Sequence, residues 1–184
     1  QITLESIDAF VGRGGLLKPI SSGTYQVDEV MVEDLKKGLQ GEHASNLGGI
    51  LALEFGRTYV KPAFIADPVV VDELSPVARI SGLKESQRKS IFHALNHKAV
   101  GKRYAKENNL SYDKLNLIIA HLGGGISVGA HAKGKVIDVN NALDGEGPFS
   151  PERAGTLPTG DLVGLSFSGD YSQQALRRMM TGHG

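Results

Sequence analysis

The chain has 184 residues, with 20 basic and 20 acidic side chains, no cysteine and an isoelectric point near 7.2. That balance excludes an electrostatic footprint for nucleic acid or an anionic membrane, and the missing thiols exclude disulfides, zinc–thiolate centres and cysteine nucleophiles. The length suits one domain or two small ones, at roughly 100–200 residues per domain, and no stretch reaches the ~18 apolar residues of a membrane span.

Taken in order, the pattern alternates between strand and helix. Ala9-Phe10-Val11 reads as a strand ending at Gly12-Arg13-Gly14-Gly15, a turn that carries one positive charge. Ser21-Ser22-Gly23 is loop, and Val30 to Leu39 has helical spacing. A second helix is expected from Asn46 through Leu47, Ile50, Leu51 and Phe55, just after His43. Ala63 to Ala66 is a short strand stopped by Asp67-Pro68. The spacing predicts one long helix over Glu85 to Asn108, with Ile91 and Leu95 on one side and His93, His97, Val100 and Tyr104 on another.

The stretch from Asn116 to Leu143 is the most informative. Leu117 to Leu122 reads as a buried strand, Gly123-Gly124-Gly125 as a tight turn and Ile126 to His131 as the returning strand. Lys133-Gly134-Lys135 makes a second turn before Val136, Ile137 and Val139. Residues without a Cβ let a backbone approach something bulky and offer it N–H groups, and His121 beside such a turn points to a phosphate. A plain hairpin turn without a ligand is the competing reading. No Gly-Lys-Ser/Thr follows, so this is not a P-loop, and neither the glycine spacing nor the following strand fits the dinucleotide fingerprint. A phosphate held here would sit on a β-hairpin, as ATP does in the actin, Hsp70 and sugar-kinase superfamily. Beyond it come an ordered Pro/Gly-rich loop, Asp144 to Gly160, and two short helices, Asp161 to about Leu165 and about Tyr171 to Met180. Strands alternating with helices make this an α/β chain.

The candidate site residues lie at the junctions. Arg13 is either an ordinary surface arginine or a fork that grips an anion. Asp67 stands at the carboxyl end of a strand, where α/β ligands bind, although initiating a turn before Pro68 would also account for it. His93 and His97 have the spacing of a metal pair, but no third ligand is evident and Ala94 replaces the glutamate of the zinc-protease motif. Glu152-Arg153 sits in a Pro-stiffened loop; as a surface ion pair it would be worth ~0–1 kcal/mol.

The series GRGG, HASNLGGI, FIADPVVVDEL, FHALNHKAVGKRYA, HLGGGISVGAHAKGKVIDVNNALDGEGPFSPERAG and LPTGDLV resembles the acetate kinase family, from about Val11 to Tyr171. Acetate kinases carry asparagine where Gly124 stands here and lack the DGEGPFSPER sequence, so the likeness favours the longer-chain branch, the butyrate kinases. The resemblance implies two RNase H-like lobes, both incomplete, over residues 1–76 (carboxylate side) and 77–184 (phosphate hairpin). It implies that Arg13 grips the carboxylate or acyl phosphate, Asp67 lies near magnesium, and His93 steadies the phosphoryl group in transit. By the same likeness His121, Gly123, Gly124 and Gly125 form the phosphate hairpin, Arg153 clamps the transition state, and His43 and Asn46 lie close to the substrate pocket. His97, Glu146, Glu152 and Asp161 are left as supporting structure.

The implied reaction is ATP-dependent phosphorylation of a short-chain fatty acid, butanoate + ATP ⇌ butanoyl phosphate + ADP, with Mg²⁺. The expected partners are a small carboxylic acid and ATP/ADP, without nucleic acid or membrane, in a cytoplasmic enzyme whose full-length form is a dimer. An acetate or propionate kinase is one alternative, and a non-catalytic nucleotide-binding module of the actin or Hsp70 type is another. The chain opens on Gln1 without an initiator methionine and closes at Gly184 just after a helical pattern stops. It reads as a piece of a longer protein, expected to be weak or inactive alone and to expose apolar surface.

Overall fold

A computed structural model describes residues 3–182; Gln1-Ile2 and His183-Gly184, the ends of the expected lobes, lie outside the described residues. Two small sheets carry the fold. The first combines β1 (Phe10–Gly12), β2 (Thr24–Gln26) and β3 (Ala63–Ala66) in the order β1-β3-β2, with β1 parallel and β2 antiparallel to β3. Helices α1 (Glu29–Lys37) and α2 (Asn46–Tyr59) pack with it. Asp28 caps α1 by accepting from the Met31 N–H, and Gly38 ends it in the left-handed conformation. A Cβ at Gly12 would run into the carbonyl oxygen of Gly48, so α2 rests directly on β1 only because both positions are glycine. Buried Val32, Leu35, Ala52, Ala63, Ile65 and Val70 form the core here.

The second sheet is an antiparallel meander of β4 (Asn116–Leu122), β5 (Ile126–Ala132) and β6 (Lys135–Val139), with α3 (Ala94–Glu107) packed against β4. Helices α4 (Thr159–Phe167) and α5 (Gln173–Thr181) follow. The segment joining the two sheets packs on both. Ile20 bridges Val71, while Val71 and Leu74 join Phe92, Val136 and Val139 in the second core, and the Ser75 N–H donates to the Ile137 carbonyl. Lys98, only 1% exposed, locks this joint through an ion pair to Glu73 at 2.6 Å, whose carboxylate also accepts from the Val136 N–H.

Two expectations need correction. The helix expected over Glu85 to Asn108 begins only at Ala94. Tertiary bonds hold the preceding residues: Arg88 reaches Asp138, Glu146 and the Ala78 and Val139 carbonyls, the Ser90 hydroxyl donates to Val71, and the Phe92 N–H donates to Val69. Those contacts outweigh a helical apolar spacing that Ile91 and Leu95 met by chance. The strand expected to be buried at Leu117 to Leu122 is instead a sheet edge, with Ile118 and Leu122 more than 70% exposed and Ile119 buried. Strand β2, three residues long, was not anticipated.

Candidate active site

A cleft of about 310 Å³ opens where the two halves meet. Arg13, His43, His93, His121, Gly124, Gly125 and Arg153 all line it, against an apolar wall of Leu16, Val69, Ile91, Phe92 and Leu143. A second cavity of about 290 Å³ adjoins it, lined by Asp67, and shares Arg13, Val69, His93 and His121. The structure thus brings together residues that lie up to 140 positions apart in the sequence, from Arg13 to Arg153.

Each is positioned by a definite local device. Arg13 follows β1 on the glycine turn and is exposed to the cleft. Asp67 follows β3 in a left-handed conformation, φ 37°, and its Oδ1 accepts from the Ser22 hydroxyl at 2.6 Å and the Gly23 N–H at 2.9 Å. Its Oδ2 faces the Lys102 ammonium at 3.9 Å. His93 is the residue before α3, not a member of it. It stacks face to face on His121, with centroids 3.7 Å apart and planes within 7°. The Asn96 amide nitrogen donates to His121 Nδ1 at 2.8 Å, which leaves the proton of the neutral ring on Nε2.

The glycine turn is shaped by the site's own side chains. A Cβ at Gly124 would meet the Glu152 carboxyl carbon at 2.7 Å, one at Gly125 the His93 ring at 3.2 Å, and one at Gly123 the His121 Nε2 at 2.9 Å. The Gly124 carbonyl accepts from the Ser150 hydroxyl and the Glu152 N–H, which docks the arginine-bearing loop onto the hairpin. From behind, the Met180 carbonyl of α5 holds the Ala154 N–H. Arg153 itself donates through Nη1 to the Glu152 and Thr181 carbonyls, while its buried Nε has no partner among the described residues. An arginine with an orphaned buried donor at the rim of a cleft is suited to an anion.

The cleft histidines, His43, His93 and His121, are neutral near pH 7. Burial, followed by the neighbouring His121 and His97 rings and the Arg13 and Arg153 charges, pulls His93 down to about 4. Burial and then Arg13 lower His121. Partial burial, then Arg153 and Arg13, lowers His43. The fixed cations of the cleft are therefore its two arginines, with the imidazoles acting as neutral donors.

Asn46 does not reach the cleft. Its amide is buried, accepting from the Leu16 N–H at 2.9 Å and donating to the Leu35 and Gly41 carbonyls at 3.2 and 3.1 Å, so it positions Leu16 from beneath. His97 is buried away from the cleft, on the hydroxyl of Ser127. No group of three or more potential metal ligands occurs among the described residues. Asp67 Oδ2 and the Glu152 carboxylate are the oxygens at these cavities that no hydrogen bond engages, and so small a donor set would suit a magnesium ion that keeps its waters and takes most other ligands from nucleotide phosphates. Sequence reasoning missed Ser127 and Asn96 and set Glu152 aside. A signal for Ser127 existed: Ser127, Gly129 and His131 occupy alternate positions of β5, so its polar residues fall on the face that also buries Val136 and Val139.

Residues 77–159 match the model of the acetokinase family. Over all 184 residues the chain is 63% identical to butyrate kinase 2 of Clostridium acetobutylicum, covering 52% of that protein. Over 181 residues it is 59% identical to a probable butyrate kinase of Clostridium botulinum, covering 51% of it. The chain therefore spans about half the length of the curated relatives it matches. Among solved structures, acetate kinase of Porphyromonas gingivalis superposes with a TM-score of 0.77 at 20% identity, over 98% of this chain and 48% of that one. Acetate kinase of Entamoeba histolytica gives 0.70 at 19% identity, over 96% and 48%. The α/β fold is accordingly the one those acetate kinase structures show, residues 77–159 match the acetokinase family model, and the whole chain is similar to butyrate kinases over about half their length.

Proposed function

We propose that this chain carries the phosphoryl-transfer cleft of a butyrate kinase, catalysing butanoate + ATP ⇌ butanoyl phosphate + ADP. The observation that carries the reading is the convergence of Arg13 and Arg153, from distant loops, on one cleft with a stacked pair of neutral imidazoles and an apolar wall. A short aliphatic acid needs that combination: cations for its carboxylate and for phosphoryl oxygens, and apolar side chains for its tail. A carboxylate is already a nucleophile at neutral pH, so no general base is required. Its oxygen attacks the γ-phosphorus, the bond to the bridging oxygen breaks, and the electron pair leaves on ADP. The remaining task is to bring anions together and stabilise the equatorial oxygens.

In this reading Arg13 grips the carboxylate or acyl phosphate, beside His43 at the rim. His93 and Arg153 stabilise the transferring group, and His121 with Gly123 to Gly125 faces the nucleotide phosphates. Magnesium, when bound, would neutralise phosphate charge beside Asp67. Asn46 supports the pocket from below. Residues 1–76 and 77–184 would belong to two lobes, and their closure would exclude water from the acyl phosphate. A cytoplasmic dimer fits the same reading. Because the chain spans about half of its relatives, turnover is expected from the complete protein and little or none from these 184 residues alone.

The test is acyl phosphate formation, trapped as hydroxamate, from ATP, Mg²⁺ and acids from acetate to valerate. The complete protein should peak at butyrate or isobutyrate, and Arg153→Ala should cost roughly 10³-fold or more in rate, by analogy with arginine fingers. A peak at acetate or propionate would reassign the substrate within the family. An Arg153→Ala protein of unchanged activity would overturn the cleft assignment. No acyl phosphate with any acid would reduce the site to nucleotide binding.

A further inference from the structure

Behind His93 runs an unbroken line of buried polar groups that the transfer reaction does not use. His93 Nδ1 lies 2.8 Å from the Ser127 hydroxyl, and that hydroxyl lies 2.9 Å from His97 Nε2. His97 Nδ1 lies 3.2 Å from His131 Nε2, and His131 Nδ1 lies 2.6 Å from the Tyr112 hydroxyl. His97, Ser127 and His131 are essentially inaccessible to solvent, and a β-bulge between Ala130 and His131 marks where β5 shifts register against β6.

Such a line could be polarised in either direction, and one backbone atom decides between them. His97 Nε2 also lies 3.2 Å from the Ser127 carbonyl oxygen, which can only accept, so Nε2 carries the proton. A neutral His97 then has a bare Nδ1, which accepts from His131 Nε2–H. His131 in turn has a bare Nδ1, which accepts from Tyr112 O–H. At the other end His97 Nε2–H points at the Ser127 oxygen, so the serine proton is directed to His93 Nδ1. Burial before all else keeps His97 and His131 neutral, each down to about 4, and holds the Tyr112 hydroxyl protonated, its pKa raised to about 12.

We infer that the Tyr112–His131–His97–Ser127 line is a positioning device that fixes the tautomer of His93, so that Nε2–H faces the cleft as a permanent neutral hydrogen-bond donor. The Nε2 edge lies beside Gly125, at the glycine turn. With the opposite polarity His93 would turn a lone pair toward the anion, and the contact would be repulsive instead of attractive. Ser127 and His97 are thus positioning residues for phosphoryl recognition, a role that rests on the kinase reading; the tautomer itself does not.

The test separates the two. Long-range ¹H–¹⁵N correlation on the ¹⁵N-labelled complete protein distinguishes protonated from bare imidazole nitrogens. His93, His97 and His131 should each show a protonated Nε2 and a bare Nδ1 at neutral pH. A protonated Nδ1 on His93, or averaging between its tautomers, overturns the inference whatever the activity. In Ser127→Ala the single tautomer of His93 should give way to a mixture; persistence of one tautomer would also overturn it. In the complete protein the same change should lower kcat for acyl phosphate formation on the order of tenfold, the loss of one oriented hydrogen bond to a charged group, with the KM for carboxylate within about twofold. An unchanged kcat with the tautomer lost would refute the positioning role. Correct tautomers in a protein that forms no acyl phosphate would remove the kinase reading and leave the network standing.

Discussion

Asn46 offers a sharp choice between two roles, since the family resemblance puts it near substrate while its amide is wholly occupied by the backbone. Asn46→Ala would strip the Leu16 N–H of its acceptor and the Leu35 and Gly41 carbonyls of their donor. Each interrupted bond costs on the order of 1 kcal/mol, giving about 3 kcal/mol for the site. At roughly 2–4 °C per kcal/mol for a chain of this size, the melting midpoint should fall by about 6–12 °C. Far-UV circular dichroism is the suitable probe, because the chain has no tryptophan. Asn46→Asp should be no better than alanine: it keeps the acceptor for Leu16, loses both donors and buries a carboxylate. A midpoint that moves by less than about 2 °C, together with a raised KM for carboxylate in the complete protein, would refute the supporting role and restore the direct contact.

Other consequences can be measured on the same material. Glu73→Ala leaves the buried Lys98 ammonium without its anion and should cost about 3–5 kcal/mol in urea unfolding, with part recovered in Glu73→Ala/Lys98→Met. A single mutant within 1 kcal/mol of the parent would show the pair to be dispensable. His93, His97 and His131 bind protons more weakly folded, at about 4, than unfolded, near 6.5. The unfolded chain therefore takes up more protons between those values, and the stability present above pH 6.5 should decline as pH falls toward 4. A urea midpoint flat across that window would contradict the neutral assignment. Gly12→Ala drives a methyl into the Gly48 carbonyl and should cost about 1–3 kcal/mol by prising α2 from β1, read as a lowered melting midpoint.

What the sequence disclosed depended on how local the cause was. Strand β3 and the glycine hairpin were readable because their apolar runs end at turn residues a few positions away. The junction residues Arg13, Asp67 and His121 followed from those boundaries, and the structure does gather them on adjoining cavities. Strand β2 was invisible: Thr24-Tyr25-Gln26 has no apolar alternation and is a strand only because β3 pairs with it. The stretch from Glu85 to His93 failed for the converse reason, its real conformation being set by bonds from Arg88 to residues 50 or more positions later. Asn96 has no sequence signal because it acts through His121, 25 positions away, whereas Ser127 lies on an alternating polar face of β5 whose histidine partners no local spacing reveals.

The left-handed turn at Asp67 determines how that residue can be interrogated. At φ 37° a side chain normally crowds its own backbone, and asparagine is, with aspartate, among the few non-glycine residues that bear it readily. Charge and conformation can therefore be varied separately. Asp67→Asn would neutralise the carboxylate while keeping the bend and an oxygen for Ser22 and Gly23. Asp67→Glu would keep the charge but force a longer side chain into a conformation it disfavours. Alanine, the customary probe, would confound the two by removing the charge and the local bonds together. A residue whose charge and backbone conformation both matter is understood only through substitutions that change one at a time.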